Sequence, residues 1–247
     1  MAKRPRRPSK RVAIFAIGGV VALLVAVFLL IYFVVFPTSS PKPFTLTTST
    51  ARTSSSTAVA TGPTSVSELT GHWKLVNGSQ AGYRVREKLA FLPAESDAVG
   101  RTSQITGTAT FSQHDGTVTI SAASFDVAVN TLTSDRSQRD EKIHEIGLES
   151  SRYPTATFVL SKPLTVSASA VAGKVAHVSV TGTFNIHGTA KKETLPVEMS
   201  LSGSTFQAVG SLTFPWSEFA MSAPSIGGFV NVSETATMEF DLHLQRA

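Results

Sequence analysis

From Glu68 to the C-terminus, run after run of residues alternates apolar and polar with a period of two, the pattern of strands with one buried face. Tyr83, Val85, Leu89 and Phe91 share one face of a first long strand, with Arg84, Arg86 and Lys88 opposite. Ile105, Gly107, Ala109 and Phe111 continue the pattern as far as a turn at His114 to Gly116. In the next run Val118, Ile120 and Ala122 keep one parity and Phe125, Val127 and Val129 the other. A one-residue slip of this kind is what a β-bulge produces, and it is expected near Ala123 and Ser124. Ala156, Phe158 and Leu160 follow, then Val178, Val180, Gly182, Phe184 and Ile186, then Leu195, Val197, Met199 and Leu201. Phe206, Ala208, Gly210, Leu212 and Phe214 precede a last strand of Ala236, Met238, Phe240, Leu242 and Leu244.

The faces opposite these are polar and suited to water, as with Thr181, Thr183 and Asn185, or Thr237, Glu239 and Asp241. About eight antiparallel strands that each bury one face point to an all-β fold, and a single closed sheet hides that face while wetting the other. An up-and-down barrel is therefore expected. Eight strands can enclose either a filled core or one small ligand, and periodicity does not choose between them. Only Thr133 to Ser150 breaks the alternation, with clustered charges and sparse apolar residues at Ile143, Ile146 and Leu148. It reads as one short helix with Thr133, Ser134 or Asp135 as its N-cap.

Before the strands lie three segments of different composition. Residues 1–11 hold six basic side chains, and Val12 to Phe36 is an apolar run of about 25 residues without a charge. At 1.5 Å per residue such a helix crosses a bilayer core of roughly 30 Å. The run exceeds the h-region of a secretory signal and lacks its small-residue cleavage site, so it reads as an uncleaved single-pass anchor. The basic flank places the N-terminus in the cytoplasm and everything after Phe36 outside. Residues 37–67 are rich in Ser, Thr and Pro without periodicity and read as a flexible stalk.

The net charge of +5 looks basic, but removing the six cations of the tail leaves 16 Lys and Arg against 17 Asp and Glu. The exported part is thus neutral, which removes the case for a nucleic-acid partner. The absence of cysteine excludes a disulfide scaffold, a thiolate metal site and a cysteine nucleophile. The six histidines form no His-x-x-x-His or HExxH arrangement that would ligate a metal. Gly78-Ser79-Gln80-Ala81-Gly82 has the wrong spacing for a nucleophile elbow, so catalysis ranks below binding. Glu234 and Glu239 read as solvated surface charge. Glu87 is the exception to the pattern, because it falls on the apolar parity between Val85 and Leu89, where an unpaired carboxylate is costly.

The order of short motifs resembles the YceI-like family of exported polyisoprenoid-binding proteins. The resemblance rests on Gly71-x-Trp73, Ser79, Tyr83-x-Val85, Gly107 before Phe111, Arg139-Asp140 and Tyr153-Pro154-x-x-x-Phe158. It continues through Gly182-x-Phe184-x-Ile186-x-Gly188 and the Phe229 to Phe240 strand. The sequence departs from the family pattern at Glu87, at Glu141-Lys142-Ile143 and at Ala190. The resemblance implies a lipocalin-like β-barrel around an apolar tunnel for an isoprenoid quinone, a polyprenyl phosphate or a similar lipid, and no enzymatic cofactor. The expected tunnel lining is Tyr83, Val85, Leu89, Phe125, Val127, Phe158, Val180, Phe184, Val197, Met199, Leu212, Phe214, Met238 and Phe240. Glu87, Arg136 and Arg139 are the candidate headgroup contacts, with Arg139 and Asp140 expected to form a salt bridge that pins the helix over one barrel end. The runner-up expectation is a filled barrel acting as a cell-envelope stress or protein-interaction module, and a hydrolase ranks third.

Overall fold

A computed structural model of the 247-residue chain describes residues 23, 27, 40–46, 69–89, 95–172, 174–224 and 230–247. The chain divides into two units, Met1–Ser40 and Pro41–Ala247. In the first, the expected anchor lies outside the described residues except at Leu23 and Val27, which are helical and exposed. Among the described residues no helix is long and apolar enough to cross a membrane.

In the second unit the alternation becomes twelve strands: β1 (Gly71–Leu75), β2 (Gln80–Leu89), β3 (Ser96–Thr102), β4 (Ile105–His114), β5 (Thr117–Ala128), β6 (Thr155–Leu160), β7 (Leu164–Ser167), β8 (Ala176–Ile186), β9 (Thr189–Ser202), β10 (Thr205–Pro215), β11 (Val230–Val232) and β12 (Thr235–Arg246). They occupy eight positions in a closed wall. β1 and β2 lie end to end along β12, with Leu75 opposite Leu244 and Gln80 opposite Asp241. β3 and β4 run along β2 and β1 in the same manner, and β6 and β7 both pair with β5. β8, β9, β10 and β12 complete the meander, and the β1–β12 pairing closes it. Closure leaves β1, β12 and β10 paired on both sides, while the short β7 and β11 and, apart from one bridge between Arg101 and Thr133, β3 pair on one side among the described residues. The break between β1 and β2 is pinned by Ser79, whose hydroxyl donates to the Val76 carbonyl (2.9 Å) and accepts the His243 N–H (2.9 Å).

The bulge in β5 sits earlier than expected. Pairing with β4 steps from Thr110 opposite Ala122 to Phe111 opposite Ile120, which leaves Ser121 as the extra residue. Ser121 and Ala122 both face water, and Ala123 begins the inward parity. Ala122 had been assigned inward with Ile120; a methyl side chain fits either face and does not mark the slip.

The helical excursion is also shorter than expected. α1 (Ser137–Lys142) runs into one π turn at Ile143–Gly147. None of Thr133, Ser134 or Asp135 caps it; the N-cap is Arg136, without a side-chain bond. Ser134 is spent locally instead: its hydroxyl accepts the Arg136 N–H (3.2 Å) and its own N–H goes to Asp140 Oδ1 (2.8 Å).

Two surface expectations need correction together. Glu239 faces outward from β12 yet is only 4% exposed. Arg101 and Arg84 hold its carboxylate at 2.8 and 3.3 Å, and Pro41, Lys42 and Phe44, expected to belong to a free stalk, lie against the same two arginines. The remainder of the expected stalk, apart from Ser40, lies outside the described residues.

The barrel core is filled at the end where β1 and β4 pair. Trp73 stacks on Phe111 (5.1 Å between centroids), and Phe206 meets Phe111 edge-on (5.0 Å). Leu69, Val118 and Val171 are fully buried in the same core, and Trp73 Nε1 donates to the Leu69 carbonyl (2.9 Å). α2 (Ala168–Val171) buries Ala168 and Val171 there.

Candidate functional site

Toward the opposite end the barrel is hollow. Its cavity offers about 190 Å³ to the centres of water-sized molecules, and its walls are almost entirely apolar. Tyr83, Phe125, Val127, Phe158, Val180, Phe184, Val197, Met199, Phe214, Met238 and Phe240 line it, as the inward parities of their strands require. Val85 and Leu212 do not: Val85 is buried in the surrounding core and Leu212 is half-buried against it. The side chain of Leu89 lies outside the described residues. The strand pattern missed the lining drawn from outside the strands. Leu132, Ile143 and Leu148 come from the helical excursion, and Trp216 and Met221 from the turn after β10. The apolar spacing of Ile143 and Leu148 within a charged stretch was the available signal for two of these; Trp216 and Met221 carry no periodic mark.

The cavity stays open because its aromatic rings lie flat on glycines. An ideal Cβ at Gly182 would meet the Phe158 ring at 1.9 Å, one at Gly100 the Tyr83 ring at 2.3 Å, one at Gly107 the Phe125 ring at 2.4 Å, and one at Gly210 the Phe240 ring at 2.7 Å. Three of these pairs are directly opposed across neighbouring strands: Tyr83 with Gly100, Phe125 with Gly107, and Phe240 with Gly210. Each ring covers backbone that no side chain occupies, so a large residue adds little thickness to the wall.

Polar groups gather at the end beneath α1. Glu87 faces inward, is 7% exposed, and meets Arg139 Nη2 at 2.5 Å, with Arg139 Nε (3.4 Å) and the Ser96 hydroxyl (3.4 Å) completing its shell. Arg139 also pairs with Asp135 one helical turn back. Burial works against the charge of Arg139, but Glu87 first and Asp135 second hold the guanidinium more firmly protonated than usual. The expected Arg139–Asp140 bridge does not form, because Asp140 accepts the Ser134 N–H and Arg139 turns toward Glu87. Arg136 approaches Asp135 at 3.8 Å. The Tyr83 hydroxyl is buried with no hydrogen-bond partner in good geometry. Burial, then the charge of Asp140, push its ionisation well above the usual phenol range, with Arg139 and Ser134 offsetting part of the shift. Among the described residues no cluster of His, Cys, Asp and Glu could hold a metal ion.

The apolar walls can desolvate a long apolar molecule. Near the helical segment the buried Ser150 hydroxyl meets His144 Nδ1 at 2.9 Å, while His144 Nε2 lies 2.9 Å from the Leu132 carbonyl. A family model described as YceI-like domain matches residues 49–244. No curated protein matches the sequence. Among solved structures, a polyisoprenoid binding domain from Saccharophagus degradans is similar at 15% identity and a TM-score of 0.53, covering 72% of this chain and 99% of its own. The YCEI protein of Campylobacter jejuni is similar at 14% identity and a TM-score of 0.50, covering 65% and 91%. At these identities the likeness is one of fold.

Proposed function

The chain belongs to the YceI-like family, and from that premise we propose that its barrel sequesters or carries a long isoprenoid or similar lipid while anchored to the outer face of a membrane by Val12 to Phe36. The observation that carries this reading is the dry tunnel: an apolar cavity of about 190 Å³ in a barrel whose opposite end is tightly packed. At about 0.8 kcal/mol per buried CH₂, a long tail gains its affinity from burial alone, without a catalytic group. Binding without turnover is consistent with polar groups that are spent on one another. The name of the Saccharophagus degradans domain agrees with an isoprenoid tail.

The charge balance under α1 favours a neutral head over a phosphate. Arg139 is committed to Glu87 and Asp135, Arg86 to Asp97, and Lys142 to Glu145. Residues 90–94 and 225–229, which adjoin this end in the chain, contribute no charge. A phosphate entering here would have to break the Glu87–Arg139 pair and leave a carboxylate buried.

Native mass spectrometry of the full chain, released from detergent, is expected to show a discrete lipid adduct. Only bare chain mass would refute the reading. Geranylgeraniol and geranylgeranyl diphosphate share one tail and differ in head charge; the alcohol is expected to bind more tightly, and a preference for the diphosphate would overturn the neutral head.

A further inference from the structure

Outside the barrel, on the wall formed by β2, β3 and β12, a second set of polar contacts serves no part of the tunnel. Arg101 Nη2 donates to the Lys42 carbonyl (2.6 Å) and Arg84 Nη2 to the Pro41 carbonyl (2.8 Å). The Arg101 guanidinium carbon lies 3.8 Å from the centroid of the Phe44 ring, well within cation–π range. Leu46 is 9% exposed. Both arginines are held from below by Glu239, and Arg84 also by Asp97 (3.1 Å). Glu239, 4% exposed, lies beneath the two guanidinium groups that the strip covers. Pro41 and Pro43 suit the bound strip, because they stiffen the chain and have no N–H to leave unpaired. The dock reads main-chain carbonyls and one aromatic face, and both arginines are aimed by carboxylates before the strip arrives.

We propose that Pro41–Leu46 is a latch that fastens the chain to the outer wall of its own barrel and sets the length of the membrane tether. The tether part of this proposal rests on the anchored-carrier reading given above; the latch itself does not. With residues 37–67 all free, about 31 residues give an r.m.s. reach of roughly 30 Å. With the latch closed, only residues 37–40 separate the apolar run from the barrel, and the five steps from Phe36 to Pro41 span at most roughly 18 Å. Closed, the latch keeps the barrel near the bilayer for loading; open, it lets the barrel reach outward. The two states differ by one small, solvent-accessible set of contacts, which makes the length of the tether adjustable.

The chain has no cysteine, so single labelling sites are available without background. A spin label at T45C, an exposed position, is expected to tumble slowly in the otherwise native full chain and several-fold faster in F44A, which leaves the Arg84–Glu239–Arg101 cluster intact. The R84A/R101A variant removes the dock from the other side and is expected to free the label equally. Equal, fast tumbling in all three would overturn the latch. A donor dye at S211C, exposed on β10, then reports distance to rhodamine-labelled phosphatidylethanolamine in phosphatidylglycerol–phosphatidylethanolamine vesicles. Lower energy transfer in F44A supports the tether role, and unchanged transfer overturns it. A closed latch on a chain that carries no lipid adduct would overturn the carrier reading alone.

Discussion

A single methyl group at position 182 separates a wall that is hollow by construction from one that is merely loose. In Gly182→Ala the new Cβ would lie 1.9 Å from Phe158 Cε2 and 2.4 Å from Cζ, so the ring edge must move by about 1.5 Å to reach an ordinary contact of 3.4 Å. Sideways escape is blocked, since Phe184 lies 4.8 Å and Phe125 6.2 Å from Phe158 between centroids. The open direction is the cavity. Overpacking a filled core costs about 1–3 kcal/mol, but here the ring moves into space, so the loss of stability is expected below about 1 kcal/mol. The lipid loses what the ring takes. Displacing one or two methylene-sized units at about 0.8 kcal/mol each weakens binding by roughly 4- to 15-fold. Trp216 lines the cavity, so its fluorescence reports the titration with geranylgeraniol directly. Gly182→Ala/Phe158→Leu, which restores the space, is expected to recover most of the affinity. A large fall in melting temperature with unchanged affinity would refute the reasoning, because it would mean that the sheet had yielded and the ring had stayed in place.

Arg139→Ala leaves Glu87 buried with only the Ser96 hydroxyl at 3.4 Å, and is expected to cost about 3 kcal/mol, or a fall in Tm of roughly 6–12 °C. Replacing both partners, as Glu87→Gln/Arg139→Gln, is expected to recover part of that loss in the same melting experiment. If the pair only pins α1, geranylgeraniol affinity survives Glu87→Gln; a loss there beyond tenfold would assign Glu87 to the head. The Tyr83 phenol ionises far less readily when folded than when unfolded, so its contribution is complete below the unfolded value near pH 10 and lost as pH rises above it. Tyr83→Phe is therefore expected to show a shallower fall of Tm between about pH 10 and 11 than the native chain.

The barrel was legible because its signal is redundant: the long strands repeat the same two-residue period, so β3, which buries Ala98, Val99 and Gly100 in a row, could go unread and one misassigned residue such as Ala122 could move a bulge without changing the architecture. Parity does not fix depth, as at Val85 and Leu212, and the expected lining also left out inward residues such as Ile105, Ile120 and Phe206, together with Leu132, Trp216 and Met221 from outside the strands. The polar end was half legible. Glu87 stood out as a charge in an apolar register, but its partner could not be chosen from sequence, because Asp135, four residues before Arg139, and Asp140, next to it, both compete for that guanidinium. Only the Ser134 N–H, by taking Asp140, decides the matter. The docked strip had no periodic signal at all. Phe44 and Leu46 set it apart from the Ser/Thr-rich residues that follow, but two apolar side chains are too few to mark a docked strip, and what holds it is a pair of arginines that come together only when β2 and β3 pair.

The packed end gives the tunnel a direction. Phe206 is 1% exposed, joined edge-on to Phe111, and Phe111 stacks on Trp73, so on the proposed reading a tail entering beneath α1 meets Phe206 and Phe111, backed by Trp73, and stops. Phe206 and Phe111 also line the cavity, which makes them its floor. The tail length that fits is then set by how far those rings stand from α1. Phe206→Ala removes one ring at a cost of about 3–5 kcal/mol, the range for a large buried aromatic. Part of that cost is an empty cavity, and a longer tail can fill it. The stability lost in the lipid-free protein is therefore expected to return in part when a longer isoprenoid alcohol is added, with the native chain showing no such gain. Stabilisation of Phe206→Ala by short and long tails alike would place the end of the tunnel elsewhere.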